Sequence, residues 1–127
     1  MLMRQNIHTE EAPQAMGPYS QAIRVDKTVY FSGQIPLDPK TMALVSDDFT
    51  AQARQVFRNL QAVSQAAGGR LENIVKLTIY LLDLQYFPRV NEVMMQFFTE
   101  PYPARATIQV SALPKAAQIE IDAVMVI

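Results

Sequence analysis

The stretch that most constrains the fold is residues 100–111, where Pro101 and Pro103 flank Tyr102 and give way to a strictly alternating run. Proline removes a backbone donor and bars helix, so the two prolines end whatever precedes them. From Ala104 the period is two. Ala104, Ala106, Ile108 and Val110 are expected on one face of a strand, and Arg105, Thr107, Gln109 and Ser111 on the other. A second alternating run, residues 118–124, follows the turn around Leu113-Pro114-Lys115 and carries Gln118, Glu120 and Asp122 on its polar face. If these strands are neighbours, a planar cation and a carboxylate face one another, an arrangement suited to a small carboxylate ligand and a water.

Upstream, the signals alternate between strand and helix. Residues 1 to about 12 are polar and read as a lead-in, followed by a rigid loop punctuated by Pro13, Gly17 and Pro18. Residues 20–25 and 28–35 read as a hairpin turned at Asp26-Lys27. In its second arm Val29, Phe31, Gly33 and Ile35 are expected on one face, and Tyr30, Ser32 and Gln34 on the other. A loop from Pro36 to about Ser46 precedes a helix. Asp47 and Asp48 suit its positive end, Phe49, Ala53, Val56, Phe57, Leu60, Val63 and Ala67 recur at threes and fours, and Gly68-Gly69 ends it. Residues 73–82 read as a strand with Val75, Leu77, Ile79 and Leu81 to one side. Pro88 suits the first turn of a second helix with Val90, Val93, Met94, Phe97 and Phe98 inward.

The 127 residues are expected to form a single α+β domain, a mixed sheet with both helices on one face. The other face then carries Tyr30, Ser32, Lys76, Thr78, Tyr80, Arg105, Thr107 and Glu120. That mixture is too polar for a monomer core and too aromatic to be left to water. Packing against further copies, with clefts between subunits, is the expected resolution.

Composition narrows the chemistry. Cysteine is absent, which removes disulfides, thiolate nucleophiles and zinc-thiolate sites, and the single histidine, His8, is expected in an exposed tail. Ser20 and Ser32 therefore lack a histidine base for serine hydrolysis. Eleven basic against twelve acidic residues give a net charge of −1, so no general attraction to nucleic acid or anionic lipid is expected. No apolar run approaches the ~20 residues of a membrane span. The N-terminus lacks the apolar core of a secretory signal, and a cytoplasmic address is the expectation.

Several segments in the right order carry a family resemblance: residues 17–22 (GPYSQA), 31–36 (FSGQIP), Asn91-Glu92, residues 102–105 (YPAR), and Leu113-Pro114 followed by residues 119–121 (IEI). From about Thr9 onward the chain resembles the RidA/YjgF family of enamine/imine deaminases. The resemblance implies a chorismate-mutase-like fold, a homotrimer with sites between subunits, no cofactor and no metal. It implies hydrolysis of 2-iminobutanoate and 2-iminopropanoate to 2-oxo acids and ammonia. By the same resemblance Arg105 grips the substrate carboxylate, Glu120 handles the attacking water, and Tyr19, Ser32, Gly33 and Asn91 line the pocket. Thr107 stands where many members carry cysteine, and the segment between Glu100 and Pro101 is shorter than in many members.

The residue types suit that reaction. A guanidinium binds a carboxylate through two parallel charge-assisted bonds, and a glutamate can take a proton from water and return it to departing ammonia. Burial would raise the pKa of Glu120 and a nearby arginine would lower it. Other readings remain open at this point: an Arg105–Glu120 ion pair of purely structural use, a non-catalytic module for small 2-oxo carboxylates, an RNA-directed translation inhibitor or ribonuclease, and a chaperone-like role.

Overall fold

The computed structural model describes residues 3–127. Six strands form one sheet: β1 (Arg4–Ile7), β2 (Ala22–Val25), β3 (Thr28–Gln34), β4 (Ile74–Leu81), β5 (Ala104–Gln109) and β6 (Ile119–Val126). Two helices, α1 (Phe49–Ala66) and α2 (Phe87–Phe97), are inserted before β4 and β5. The spatial order is β1-β2-β3-β6-β4-β5, with β4 and β5 parallel and every other neighbouring pair antiparallel. Parallel neighbours need a crossover, and α2 supplies it between β4 and β5.

Local chemistry explains the helices. Asp48 caps α1 by accepting from the Ala51 amide at 2.9 Å, and its stripe of Phe49, Ala53, Val56, Phe57, Leu60 and Val63 is buried. Gly68, just past the end, has φ +89°, a left-handed conformation that glycine adopts without a side-chain penalty. Pro88 sits in the first turn of α2, whose Val90, Val93 and Met94 are buried. These stripes cover Val29, Leu77, Ile79, Leu81, Ile119, Ile121 and Met125 in one core. Each such side chain contributes about 1.5–3 kcal/mol relative to exposure.

Two buried amides tie loops to this frame. Gln52 of α1 accepts from the Gln118 amide at 2.9 Å and donates to the Ser46 carbonyl at 2.9 Å, anchoring the entry into β6. Gln21 accepts from the Thr9 amide at 2.7 Å and donates to the Pro13 carbonyl at 2.8 Å, fastening the loop before β2.

Four expectations are corrected. The polar lead-in contains a strand, β1, paired along β2, with Ile7 in the core; its three exposed residues mask the pattern. β5 and β6 are not neighbours, because β4 lies between them. The register of β3 shifts between Phe31 and Gln34, so the expected alternation breaks there. Gln34 is buried instead of polar-facing, and Gly33 turns toward the side of Glu120. Finally, β5 presents the opposite face to that expected. Arg105 pairs in register with buried Leu77, and Thr107 with buried Ile79, so both point to the helix side. The alanines of β5 and the exposed Ile108 belong to the open face.

Candidate active site

The positions singled out from the sequence separate into two groups. On the helix side, at the sheet edge, Arg105 projects from β5 toward α2. Its Nη1 donates to Asn91 Oδ1 at 2.7 Å and lies 3.7 Å from Met94 Sδ, and its guanidinium carbon stands 4.9 Å from the ring centroid of Phe87. Phe87, Asn91 and Met94 are four and three residues apart, so one face of α2 supplies all three contacts. A cation over an aromatic face and against a fixed amide oxygen keeps one orientation. The guanidinium is half-buried, and burial lowers its pKa without removing its charge.

Beside it lies a cavity of about 480 Å³ lined by Asn91, Met94, Met95, Tyr102, Pro103 and Arg105. Its walls are thioether and aromatic, with one cation and one amide at the polar end. That combination suits a small organic anion with an apolar tail. Thr107, two residues beyond Arg105 on the same face, has a buried hydroxyl oxygen without a hydrogen-bond partner in the protomer.

The second group lies on the open face. Glu120 of β6 is paired in register with Tyr80 of β4 and sits against Gly33 of β3. A Cβ on Gly33 would stand 2.9 Å from Cδ of Glu120, so the carboxylate occupies the space that glycine leaves. Burial, and secondarily the charge of Asp122, raises the Glu120 pKa above the usual carboxylate value. Ser32 donates from Oγ to the Ser20 carbonyl at 2.5 Å, and its amide donates to Gln21 O at 3.0 Å, joining the 17–21 loop to β3. Tyr19, half-exposed on that loop, accepts through its hydroxyl from the Met16 amide at 3.2 Å.

The structure therefore brings Arg105 together with Asn91, and Glu120 with Gly33, but does not bring the two groups together. They stand on opposite faces of the sheet with β4 between their strands. The structural ion-pair reading falls with this geometry: among the described residues the one side-chain ion pair is Arg70–Glu72, at 4.0 Å on the surface. Met94 and Phe87 as contacts of Arg105 were detectable in the sequence, since both share the helical face of Asn91. Asp122 beside Glu120 was legible too, two residues along the same polar face, whereas Tyr80 was not, because its proximity depends on which strands pair.

The chain as a whole is similar to known proteins. Residues 9–127 match the family model described as Endoribonuclease L-PSP. The chain is 53% identical over 127 residues to protein DfrA of Myxococcus xanthus, covering 98% of this chain and 97% of that one. It is 47% identical over 125 residues to the human 2-iminobutanoate/2-iminopropanoate deaminase, covering 98% and 91%. Among solved structures, RidA from the Antarctic bacterium Psychrobacter sp. PAMC 21119 superposes with a TM-score of 0.94 at 50% identity, covering 97% of this chain and 99% of that one.

Proposed function

This chain belongs to the RidA/YjgF family, and on that premise we propose that it is a cofactor-independent deaminase. Its proposed substrates are reactive 2-imino acids such as 2-iminobutanoate and 2-iminopropanoate, hydrolysed to 2-oxo acids and ammonia. The observation that carries the reading is the fixed, half-buried guanidinium of Arg105 at the polar end of an otherwise apolar cavity. A substrate carboxylate takes the two parallel donors that the fork still offers, and a short aliphatic chain lies against Met94, Met95 and Tyr102.

Hydrolysis needs a proton taken from water and a proton returned to nitrogen. In this reading Glu120 accepts a proton as the water oxygen bonds to the carbon of the N-protonated imine, giving a neutral carbinolamine. Glu120 then protonates the nitrogen, the carbon–nitrogen bond breaks, and the hydroxyl proton leaves as the carbonyl forms. The raised pKa of Glu120 suits a group that must work in both directions. Thr107, with its unpaired hydroxyl, and Ser32 and Tyr19 are proposed as further polar contacts. Holding the imine beside an oriented water supplies much of the acceleration, since the uncatalysed reaction is itself facile.

Because Arg105 and Glu120 lie on opposite faces of one protomer, the proposed site joins the arginine side of one copy to the glutamate side of another. A closed ring of three copies has three such junctions and covers the open face, where Tyr30 and Ile108 are 54% and 45% exposed. The nuclease reading carried by the family model's description has weaker support, because a net charge of −1 offers little for phosphate contacts.

The test is turnover. A PLP-dependent threonine dehydratase supplies 2-iminobutanoate, and addition of this protein should speed the appearance of 2-oxobutanoate. An unchanged rate, with a 2-oxo acid still binding at Arg105, would replace the deaminase by a carboxylate-binding module.

A further inference from the structure

The open face carries a polar cluster that the proposed mechanism does not use. Tyr80 donates from its hydroxyl to Asp122 Oδ2 at 2.8 Å. The partnership is diagonal. In register, Tyr80 is opposite Glu120, and Asp122 is opposite Thr78. The aspartate thus leans along the sheet toward the tyrosine that flanks Glu120, and does not simply face its own cross-strand neighbour. Diagonal partners on adjacent strands lie within reach of a long side chain.

Taking the deaminase reading as its premise, we propose that Tyr80 and Asp122 are positioning residues for Glu120: the phenol pins the Asp122 carboxylate beside Glu120, so that a neighbouring negative charge keeps Glu120 able to hold a proton at the stage when nitrogen must receive one. Glu120 has few other charged or titratable neighbours. On β6 it has Asp122; on β4, Tyr80 directly opposite and Lys76 farther along, opposite Val124; on β3, Tyr30, also opposite Val124, with uncharged Ser32 and Gly33 nearest. In the assembled site Arg105 of a neighbouring copy adds a positive charge, which the variants below leave in place.

The physical sense is consistent from both partners. The Asp122 charge raises the pKa of Glu120, second to burial, and the hydrogen bond to Asp122 is the main cause of the raised pKa of Tyr80. A phenol held protonated remains a donor, so its hydrogen bond keeps the Asp122 side chain oriented toward Tyr80, the tyrosine opposite Glu120. Tyr80 also stands opposite Glu120, but that direct interaction is the smallest of the influences on the phenol, and its proposed effect on Glu120 runs through Asp122. This ordering separates a positioning role from general structural support.

The experiment compares Asp122→Asn, Tyr80→Phe and the double variant in the full-length protein. Two readouts are used: the pH dependence of kcat/KM with dehydratase-generated imine, and carbon-13 titration of the glutamate carboxyls, with Glu120 assigned by its loss in Glu120→Gln. Asp122→Asn keeps an acceptor for Tyr80 but removes the charge, so the acid limb and the Glu120 titration should both move to lower pH. Tyr80→Phe should move them the same way by less. The double variant should match Asp122→Asn. An unmoved Glu120 titration in Asp122→Asn, or a double variant with a further shift, overturns the proposal. Should the wild-type protein show no turnover, the deaminase reading fails by itself, while the carboxyl titration still decides whether the cluster controls Glu120.

Discussion

Nη1 of Arg105 donates to Oδ1 of Asn91 at 2.7 Å, so the direction of the guanidinium is set by helix α2 and not by its own strand. An edge strand alone leaves an arginine free to sweep through solvent. With an amide acceptor, a thioether and an aromatic face on three sides, its remaining donors point one way before any ligand arrives.

Asn91→Leu removes the acceptor while keeping the helix and most of the volume. The expected outcome is a rise in KM with little change in melting temperature, and a loss of roughly tenfold in kcat/KM, the worth of about 1.4 kcal/mol for one hydrogen bond to a charged group. Arg105→Ala should abolish the acceleration with the fold intact. Steady-state kinetics beside circular dichroism checks both.

Complementation tests the placement on opposite faces. Arg105→Ala and Glu120→Gln should each be inactive alone. Co-refolded in equal amounts, they should recover about one-quarter of the wild-type sites, because a junction is intact when the arginine comes from one variant and the glutamate from the other. A mixture that stays inactive would place the site within a single copy.

Gly33→Ala puts a methyl group where the Glu120 side chain lies, 2.9 Å from its Cδ in the present arrangement. The carboxylate is the flexible partner and must move. Melting should change little, whereas a displacement of about 1 Å at a reacting group costs up to 10²-fold in turnover. Crystallography of the variant would show the displaced carboxylate directly.

Thr107→Val replaces a buried, unpartnered hydroxyl by a methyl of similar shape. Removing an unsatisfied polar atom should stabilise the protein by up to about 1 kcal/mol. If the hydroxyl serves the ligand, the same variant loses turnover, and denaturant midpoints and kinetics then move in opposite senses.

Glu120 also predicts a pH dependence of stability. Its folded-state pKa is raised, chiefly by burial and further by Asp122, so folding favours the protonated form. Its contribution is fully present below the unfolded value of about 4.3 and is lost as pH rises through the folded value. Glu120→Gln should remove that loss, giving a midpoint above wild type at neutral pH and a flatter profile. Urea unfolding between about pH 4 and pH 8 measures it.

Local elements were well marked in the sequence. The α1 stripe and its Asp48 cap, Pro88 at the start of α2 and the alternation in β6 all depend on neighbours within a turn or two, where spacing alone constrains the backbone. β1 was hidden because an edge strand with one buried residue has almost no alternation to detect. The bulge in β3 was hidden because an extra residue leaves composition unchanged while reversing which side chains turn inward.

By itself, the order of residues determined both helices and every strand but β1, and that within its own strand Arg105 shares a side with Thr107 and Glu120 shares one with Asp122. Alternation is a relation within a strand, so it holds wherever the strand is placed. Only the tertiary structure decided that β4 separates β5 from β6, and that Arg105 turns toward the helices while Glu120 turns away. Period two is symmetric between the faces of a sheet, and the symmetry is broken only by what packs on each side: here Leu77 and the α2 face on one, and the uncovered residues around Tyr30 and Ile108 on the other.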